Sequence, residues 1–142
     1  MVGVYHKQNL LRKVQNNIDM SQKNLGIIGG GQLGSMLSEA AKKLNIKTIV
    51  YSDDIDSPAQ NFCNEFICGE YNNKQKILEF INKVDIITYE FENIPFETLN
   101  EINKLKQVLP KPSVNRLIQH RLAEKDFINK LNIRTTRYVL VE

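Results

Sequence analysis

The sequence contains no tryptophan, two cysteines and two histidines, and these low counts limit the chemistry open to it. Cys63 and Cys68 are separated by four residues and lie far from both histidines, which is not the spacing of a zinc site. One pair of cysteines is also not a disulfide framework, so we expect buried thiols in a reducing cytoplasm. No Ser, His and Asp set or Cys and His set has a spacing suited to nucleophilic catalysis.

Long hydrophobic runs are missing as well. No segment approaches the roughly 20 apolar residues that a membrane helix needs. The net charge is only +3, and most of it lies in residues 1–19. The rest is nearly neutral and has no stripe of Lys and Arg typical of nucleic-acid binding. We therefore expect a cytoplasmic protein that binds neither nucleic acid nor membranes.

Residues 1–23 differ from the rest of the chain because they are polar and rich in Asn and Gln. They lack the apolar core of a secretory signal. Their aliphatic side chains form only a weak helical stripe, at Leu10, Leu11, Val14 and Ile18. We expect a disordered tail or a translation start at Met20. The alternative is a targeting helix or a helix that binds a partner.

From Leu25 onward, apolar strand patterns and helical patterns alternate. Strands are predicted at Leu25–Ile28, Ile46–Tyr51, Phe66–Cys68, Val84–Tyr89, Val108–Leu109 and Tyr138–Val141. Helices are predicted at Leu33–Leu44, at Lys74–Lys83 with Ile77, Leu78 and Ile81 inward, at Phe96–Leu105, and from the N-cap Ser113 to about Leu131 with an interruption near His120. This alternation predicts an α/β fold, a Rossmann-like parallel sheet with helices on both faces.

The run Gly29–Gly34 joins the first strand to the first helix. That helix is amphipathic by its spacing, with apolar residues at Leu33, Met36, Leu37, Ala40, Ala41 and Leu44. A turn of this kind directs backbone N–H groups and a helix N-terminus at an anion, usually a phosphate. Gly29 permits a tight exit from the strand, Gly31 lets a ligand approach, and Gly34 lets helix and strand pack closely. The alternative is a turn that binds nothing.

A second polar motif, Glu90-Phe91-Glu92-Asn93, follows the strand at Val84–Tyr89. Residues two apart in an extended chain share one face, so both carboxylates can meet hydroxyls, amines or a metal, or act as acid and base. The carboxyl ends of parallel strands meet at one edge of a sheet, so this motif and the glycine turn can face one crevice. The alternative is a solvated acidic loop.

Two weaker patterns remain open. Arg121 and Lys125 lie four apart on a predicted helix and can meet a polyphosphate, although Glu124 beside them favours an exposed ion-paired face. Asp53, Asp54 and Asp56 follow the second strand, where a dinucleotide-binding fold places an acid on a ribose hydroxyl. This pattern permits NAD binding, but nothing else in the chain resembles a dehydrogenase.

Taken together, four motifs resemble a known family. They are Ile27–Gly34, Ser57-Pro58, Thr88–Ile94, and Arg121 with Lys125. In this order and spacing they resemble the N-terminal part of N5-carboxyaminoimidazole ribonucleotide synthases, over residues 24–142. These are ATP-grasp ligases of purine biosynthesis. The resemblance implies that ATP and Mg²⁺ activate bicarbonate as carboxyphosphate, which carboxylates the amine of aminoimidazole ribonucleotide.

The resemblance also implies roles for parts of the chain. Residues 24–112 would be the Rossmann-like pre-ATP-grasp domain, and residues 113–142 a helical linker and the start of a truncated ATP-grasp domain. Gly31, Gln32 and Leu33 would contact the phosphoribosyl end of the substrate, Glu90 its polar groups, and Arg121 the ATP. The family usually has arginine where Ser35 stands and aspartate where Ser52 stands.

These 142 residues lack the nucleotide-cradling and metal-binding parts of an ATP-grasp domain, so no catalytic or metal-binding residue is assigned to them. Phosphoryl transfer needs those charges around the phosphates. The chain alone is therefore expected to be inactive. It would be one half of a split gene with a separately encoded C-terminal half, a decayed remnant, or a domain expressed on its own; the resemblance also allows a homodimer. The alternative is a non-catalytic nucleotide-binding Rossmann module.

Overall fold

The computed structural model describes residues 23–140. The strands are β1 Asn24–Ile28, β2 Lys47–Ser52, β3 Glu65–Cys68 and β4 Ile86–Tyr89, and the helices are α1 Gln32–Lys43, α2 Lys74–Lys83, α3 Phe96–Leu105, α4 Pro112–Ile118 and α5 Arg121–Lys130, with a 3-10 turn at Pro58–Asn61. The predicted tail and the start at Met20 lie outside the described residues, apart from Lys23. No helix among the described residues is long and apolar enough to cross a membrane.

The strands form one parallel sheet in the order β3-β2-β1-β4. Ile28, the last residue of β1, lies beside Tyr51 of β2 and Tyr89 of β4, so the three strands end at the same edge. The predicted fifth strand is reduced to a single parallel bridge between Val108 and Ile87. The α/β class and the parallel sheet are confirmed.

Helices cover both faces of this sheet. The larger core lies under α2 and α3, where Phe80, Leu99 and Ile102 pack with Tyr51 and Ile87 of the strands. The smaller core lies under α1 and the 3-10 turn and is built from Ile27, Val50 and Ala59. Because the two central strands, β1 and β2, are covered on both faces, they are largely buried and read in the sequence as apolar runs.

Several predicted details are wrong. In α2 the buried residues are Phe80 and Ile81, whereas Leu78 is 47% exposed, because the aromatic ring rather than Leu78 occupies the core. Helix α4 begins at Pro112 and not after Ser113, since proline fits the first turn of a helix without losing a hydrogen bond. Residues 138–140 of the predicted last strand have no regular structure, and no strand of the sheet pairs with them.

Other details match the prediction more closely. The helical stretch after Pro112 is interrupted as expected, because α4 ends at Ile118 and His120 is the N-cap of α5. Cys63 and Cys68 are free thiols, half-buried rather than buried. Cys63 packs against the smaller core, where burial raises its pKa.

Helix α1 forms where the sequence predicts it, but its large apolar residues do not face the sheet. The residues that pack inward are Gly34, Ser35, Ser38 and Ala41. Small side chains let the helix lie close to the strands. The outward residues Leu33, Met36, Leu37, Ala40 and Leu44, the last just beyond the helix, are all exposed, and we call them the α1 apolar face.

Candidate functional site

The site begins at the glycine turn between β1 and α1. Gly29 has a φ of +106°, in the left-handed region that side chains other than glycine rarely adopt. Its N–H donates to the carbonyl of Tyr51 at 2.8 Å, which holds the turn against the end of β2. Gly31 is the N-cap of α1 and has no side chain to cap the helix. The helix N-terminus is therefore open to a group from elsewhere.

That group is the carboxylate of Glu90. The N–H of Gly31 donates to Glu90 Oε1 at 2.9 Å, and the N–H of Glu90 donates to the carbonyl of Ile28 at 3.1 Å. A carboxylate at a helix N-terminus is stabilised by the helix dipole by about 0.3–1 kcal/mol. The structure thus brings Gly31 and Glu90 together at the sheet edge where the sequence predicts a shared crevice. One N–H of the turn already holds an anionic group.

Gln32 and Leu33 are the first two residues of α1, and both side chains are exposed. Backbone N–H groups in the first turn of a helix have no acceptor within the helix. These two N–H groups lie next in the chain to the Gly31 N–H that Glu90 occupies.

Two buried serines, Ser52 and Ser57, pack against the glycine turn. This role was not predicted from the sequence. Ser57 Oγ donates to Ser52 Oγ at 2.9 Å, and the N–H of Ala59 donates to the carbonyl of Gly30 at 3.0 Å. A Cβ on Gly30 would lie 2.4 Å from Ser57 Oγ, so the loop after β2 touches the turn. The sequence signal that points to this role is the pair Ser57-Pro58, which is one of the four motifs of the family resemblance.

Ser35 does not take the place of a ligand-binding side chain. It is buried, and its hydroxyl donates to the carbonyl of Gly31 at 3.1 Å, one turn back along α1. Its observed role is to bond to the turn that begins the helix.

Aromatic side chains lie next to the carboxyl end of β2. The Tyr51 hydroxyl donates to the carbonyl of Glu70 at 2.7 Å, and burial raises its pKa to about 12. Burial, together with the nearby charge of Asp53, also raises the pKa of Tyr71. The ring of Tyr71 stacks on that of Phe91, with 6.4 Å between centroids. Both phenols are therefore neutral at pH 7.

The other predicted site residues form no hydrogen bond or ion pair with the glycine turn. They are Arg121, Lys125 and Glu92. Arg121 is mostly exposed and pairs with Glu124 on the same helix, as in the alternative of an ion-paired surface. Lys125 donates to Thr136 Oγ1 at 2.8 Å. Glu92 is exposed, and its carbonyl accepts from Gln119 Nε2 at 2.6 Å.

A test of the turn's packing is the substitution Gly34→Ala. A Cβ at this position would lie 2.6 Å from the carbonyl oxygen of Gly29, which is backbone and cannot rotate away. Alanine gains about 1 kcal/mol of helix propensity over glycine, but overpacking costs about 1–3 kcal/mol, so we expect a net loss of stability. Urea unfolding measures it, with Ser38→Ala in the same helix as a control. A Gly34→Ala protein as stable as the parent would contradict this close packing.

The parallel sheet, the glycine turn and the carboxylate at its helix N-terminus define a Rossmann-like domain with polar groups at the strand ends. Residues 22–119 match the family model of the ribonucleotide synthetase preATP-grasp domain. The match covers more than half of the chain, and the chain therefore belongs to this family.

Similar proteins agree with this family. The chain is 37% identical over 118 residues to the N5-carboxyaminoimidazole ribonucleotide synthase of Brucella melitensis, covering 83% of this chain and 33% of that protein. The solved structure of the Thermotoga maritima synthetase matches with a TM-score of 0.75 and 34% identity, covering 85% of this chain and 34% of that one. The Aspergillus clavatus synthase with ADP and 5-aminoimidazole ribonucleotide matches at 0.71 and 28% identity, covering 80% and 31%. The chain thus spans about a third of these relatives.

Proposed function

We propose that this chain is the ribonucleotide-binding part of a cytoplasmic ATP-dependent ligase that carboxylates 5-aminoimidazole ribonucleotide with bicarbonate in purine biosynthesis. The observation that carries the proposal is the Glu90 carboxylate on the Gly31 N–H. It places a carboxylate beside the N-terminus of α1 at the strand ends, in a chain similar to an Aspergillus clavatus synthase whose structure contains this ribonucleotide.

The charge of Glu90 determines which end of the ribonucleotide fits the turn. A phosphate on the Gly31 N–H would lie about 4 Å from the carboxylate, where two like charges repel by about 4 kcal/mol at an effective dielectric constant of 20. Neutral ribose hydroxyls can instead donate to Glu90 and accept from the N–H groups of Gln32 and Leu33. The turn would therefore bind the ribose, and the phosphate would lie farther from it.

ATP and Mg²⁺ are proposed to need groups beyond those of residues 23–140. The part of the chain that the structure describes contains no group of three or more His, Cys, Asp or Glu side chains that could hold a metal ion. Arg121 is proposed to reach ATP, which requires that its pair with Glu124 opens. The charges that phosphoryl transfer requires would thus come from a C-terminal half.

Reconstitution tests the proposal. We expect the chain mixed with the ATP-grasp part of the Brucella melitensis relative to show bicarbonate-dependent ATP hydrolysis stimulated by aminoimidazole ribonucleotide. Neither part alone should do so. Phosphate release is the measurement, and the size of the reconstituted enzyme shows whether it is a homodimer. A soluble, folded half that restores no activity would argue against the proposal.

A second candidate function is a nucleotide-binding module without chemistry. It is favoured by the glycine turn together with Asp53, which directly follows β2 as in dinucleotide-binding folds. Calorimetry with NADH, ATP and aminoimidazole ribonucleotide separates the two functions. Binding of NADH alone would favour the module and overturn the ligase.

A further inference from the structure

Tyr71 is a buried tyrosine at the edge of the sheet where the glycine turn lies. It is 9% exposed, and its ring lies against aromatic rings at the ends of two strands. The ring centroid of Tyr51, near the end of β2, is 6.1 Å away. The ring of Phe91, the residue after Glu90, stacks on Tyr71 with 6.4 Å between centroids. Tyr71 therefore lies between the end of β2 and the segment that carries Glu90.

The hydroxyl of Tyr71 faces polar groups of this edge. Ser52 and the carboxylate of Asp53 lie beside it, and Glu90 is near enough for its charge to act on the phenol. Burial, and after it the charges of Asp53 and Glu90, raises the pKa of Tyr71. The hydroxyl is therefore protonated at pH 7, and it can donate a hydrogen bond beside two carboxylates.

The protein holds the backbone and ring of Tyr71 but leaves its hydroxyl free. Thr98 Oγ1 donates to the carbonyl of Tyr71 at 2.8 Å. The neighbouring Tyr51 hydroxyl donates to the carbonyl of Glu70 at 2.7 Å, whereas the Tyr71 hydroxyl forms no hydrogen bond of ordinary geometry within residues 23–140. Polar groups of buried side chains usually have a partner. A donor that is already fixed in place loses little freedom when a ligand binds to it.

The charges around this hydroxyl determine which part of a ribonucleotide it can meet. Asp53 is exposed and Glu90 is half-buried, so a ligand at this edge meets both carboxylates. A phosphate would be repelled by both of them. Each hydroxyl of a ribose diol can instead donate to a carboxylate, and its oxygen can still accept from another group. The Tyr71 hydroxyl is a donor for such an oxygen.

We propose that the Tyr71 hydroxyl donates to a hydroxyl oxygen of the ribose and makes the site select an intact ribose diol. The inference rests on the proposed function, because it requires the ribose of aminoimidazole ribonucleotide to lie at the glycine turn. It adds to that site a specificity-determining residue that lies outside the four motifs of the family resemblance.

The substitution Tyr71→Phe removes only the hydroxyl and tests the proposal by binding. Aminoimidazole ribonucleotide and its 2′-deoxy and 3′-deoxy analogues are titrated into the isotope-labelled full chain and followed by NMR. We expect Tyr71→Phe to weaken binding of the ribonucleotide about fivefold, as for the loss of one neutral hydrogen bond. It should leave the affinity for one of the two deoxy analogues unchanged, because that analogue lacks the oxygen that Tyr71 contacts. Equal losses for all three ligands, or no loss for any of them, would overturn the proposal.

The matched control is Tyr51→Phe, which removes a hydroxyl that is bonded to the protein itself. It should lower the melting temperature and leave all three affinities unchanged, whereas Tyr71→Phe should leave the melting temperature unchanged. The Gly31 amide resonance reports the hydrogen bond to Glu90 and should keep its position in Tyr71→Phe. Loss of that hydrogen bond in the variant would overturn a direct contact, because the effect would then come through Glu90.

The same titrations separate this inference from the proposed function. A parent chain that binds no aminoimidazole ribonucleotide would overturn the proposed function, and the role of Tyr71 would fall with it. A parent chain that binds the ribonucleotide, together with a Tyr71→Phe chain that binds all three ligands as the parent does, would overturn the role of Tyr71 alone.

Discussion

Replacing Glu90 with alanine is expected to weaken binding of 5-aminoimidazole ribonucleotide at least tenfold while the domain stays folded. The carboxylate is the acceptor for the Gly31 N–H and the proposed acceptor for the ribose hydroxyls. Hydrogen bonds to a charged group contribute about 1.5–3 kcal/mol, and tenfold in affinity corresponds to about 1.4 kcal/mol. Glu90 is only half-buried, so water can replace it at Gly31. Titration of the labelled chain followed by NMR measures both affinity and fold.

Two companion variants identify the cause of that loss. Glu90→Gln keeps a neutral acceptor for Gly31 and removes only the charge, so it should lose less affinity than Glu90→Ala. Glu92→Gln changes the charge by the same amount in the same loop, but its side chain is exposed and should not matter. Gln32→Ala should weaken binding slightly, because the backbone N–H remains. Equal affinities for Glu90→Ala and the parent chain would refute the proposed crevice.

The position of Glu90 shows which features of the site can be predicted from the sequence and which cannot. Alternating patterns predict a parallel sheet, and a parallel sheet brings the ends of β1 and β4 to one edge, so the meeting of the glycine turn with Glu90 could be expected. The hydrogen bond itself could not, because it depends on the path of a loop and on one side-chain rotamer. The same holds for Ser52 and Ser57, whose contact depends on how the loop after β2 folds back.

Helix α1 shows where a periodic pattern is ambiguous. The spacing of its leucines predicts a helix with one apolar side, but it does not say which partner that side faces. The same helix has a second stripe of small residues, Gly34, Ser38 and Ala41, and this stripe packs on the strands. Hydrophobicity alone gives small residues little weight, although only they permit the close approach that the glycine turn requires.

Replacing Phe80 with alanine is expected to cost about 3–5 kcal/mol of unfolding free energy, the largest loss of stability predicted here. The ring is fully buried, and its centroid lies 5.6 Å from that of Tyr51 in the core between α2 and the sheet. Domains of this size are stable by about 5–15 kcal/mol, so the variant should be close to unfolding. Urea unfolding measures the loss. Leu78→Ala on the same helix, a half-exposed position, is the control and should cost less than about 1 kcal/mol.

The contact between Phe80 and Gly26 separates a loss of packing from general damage to α2. A Cβ on Gly26 would lie 2.7 Å from the Cζ atom of Phe80, so Gly26→Ala should destabilise the parent chain by about 1–3 kcal/mol. In a Phe80→Leu chain that ring atom is gone, so the same substitution should cost less, although the Cβ would still lie 3.1 Å from Val84 Cγ1 and 3.2 Å from Ile87 Cγ1. The double-mutant cycle should therefore show a coupling of at least 1 kcal/mol. Additive effects would mean that the new Cβ is opposed by Val84 and Ile87 and not by the ring of Phe80.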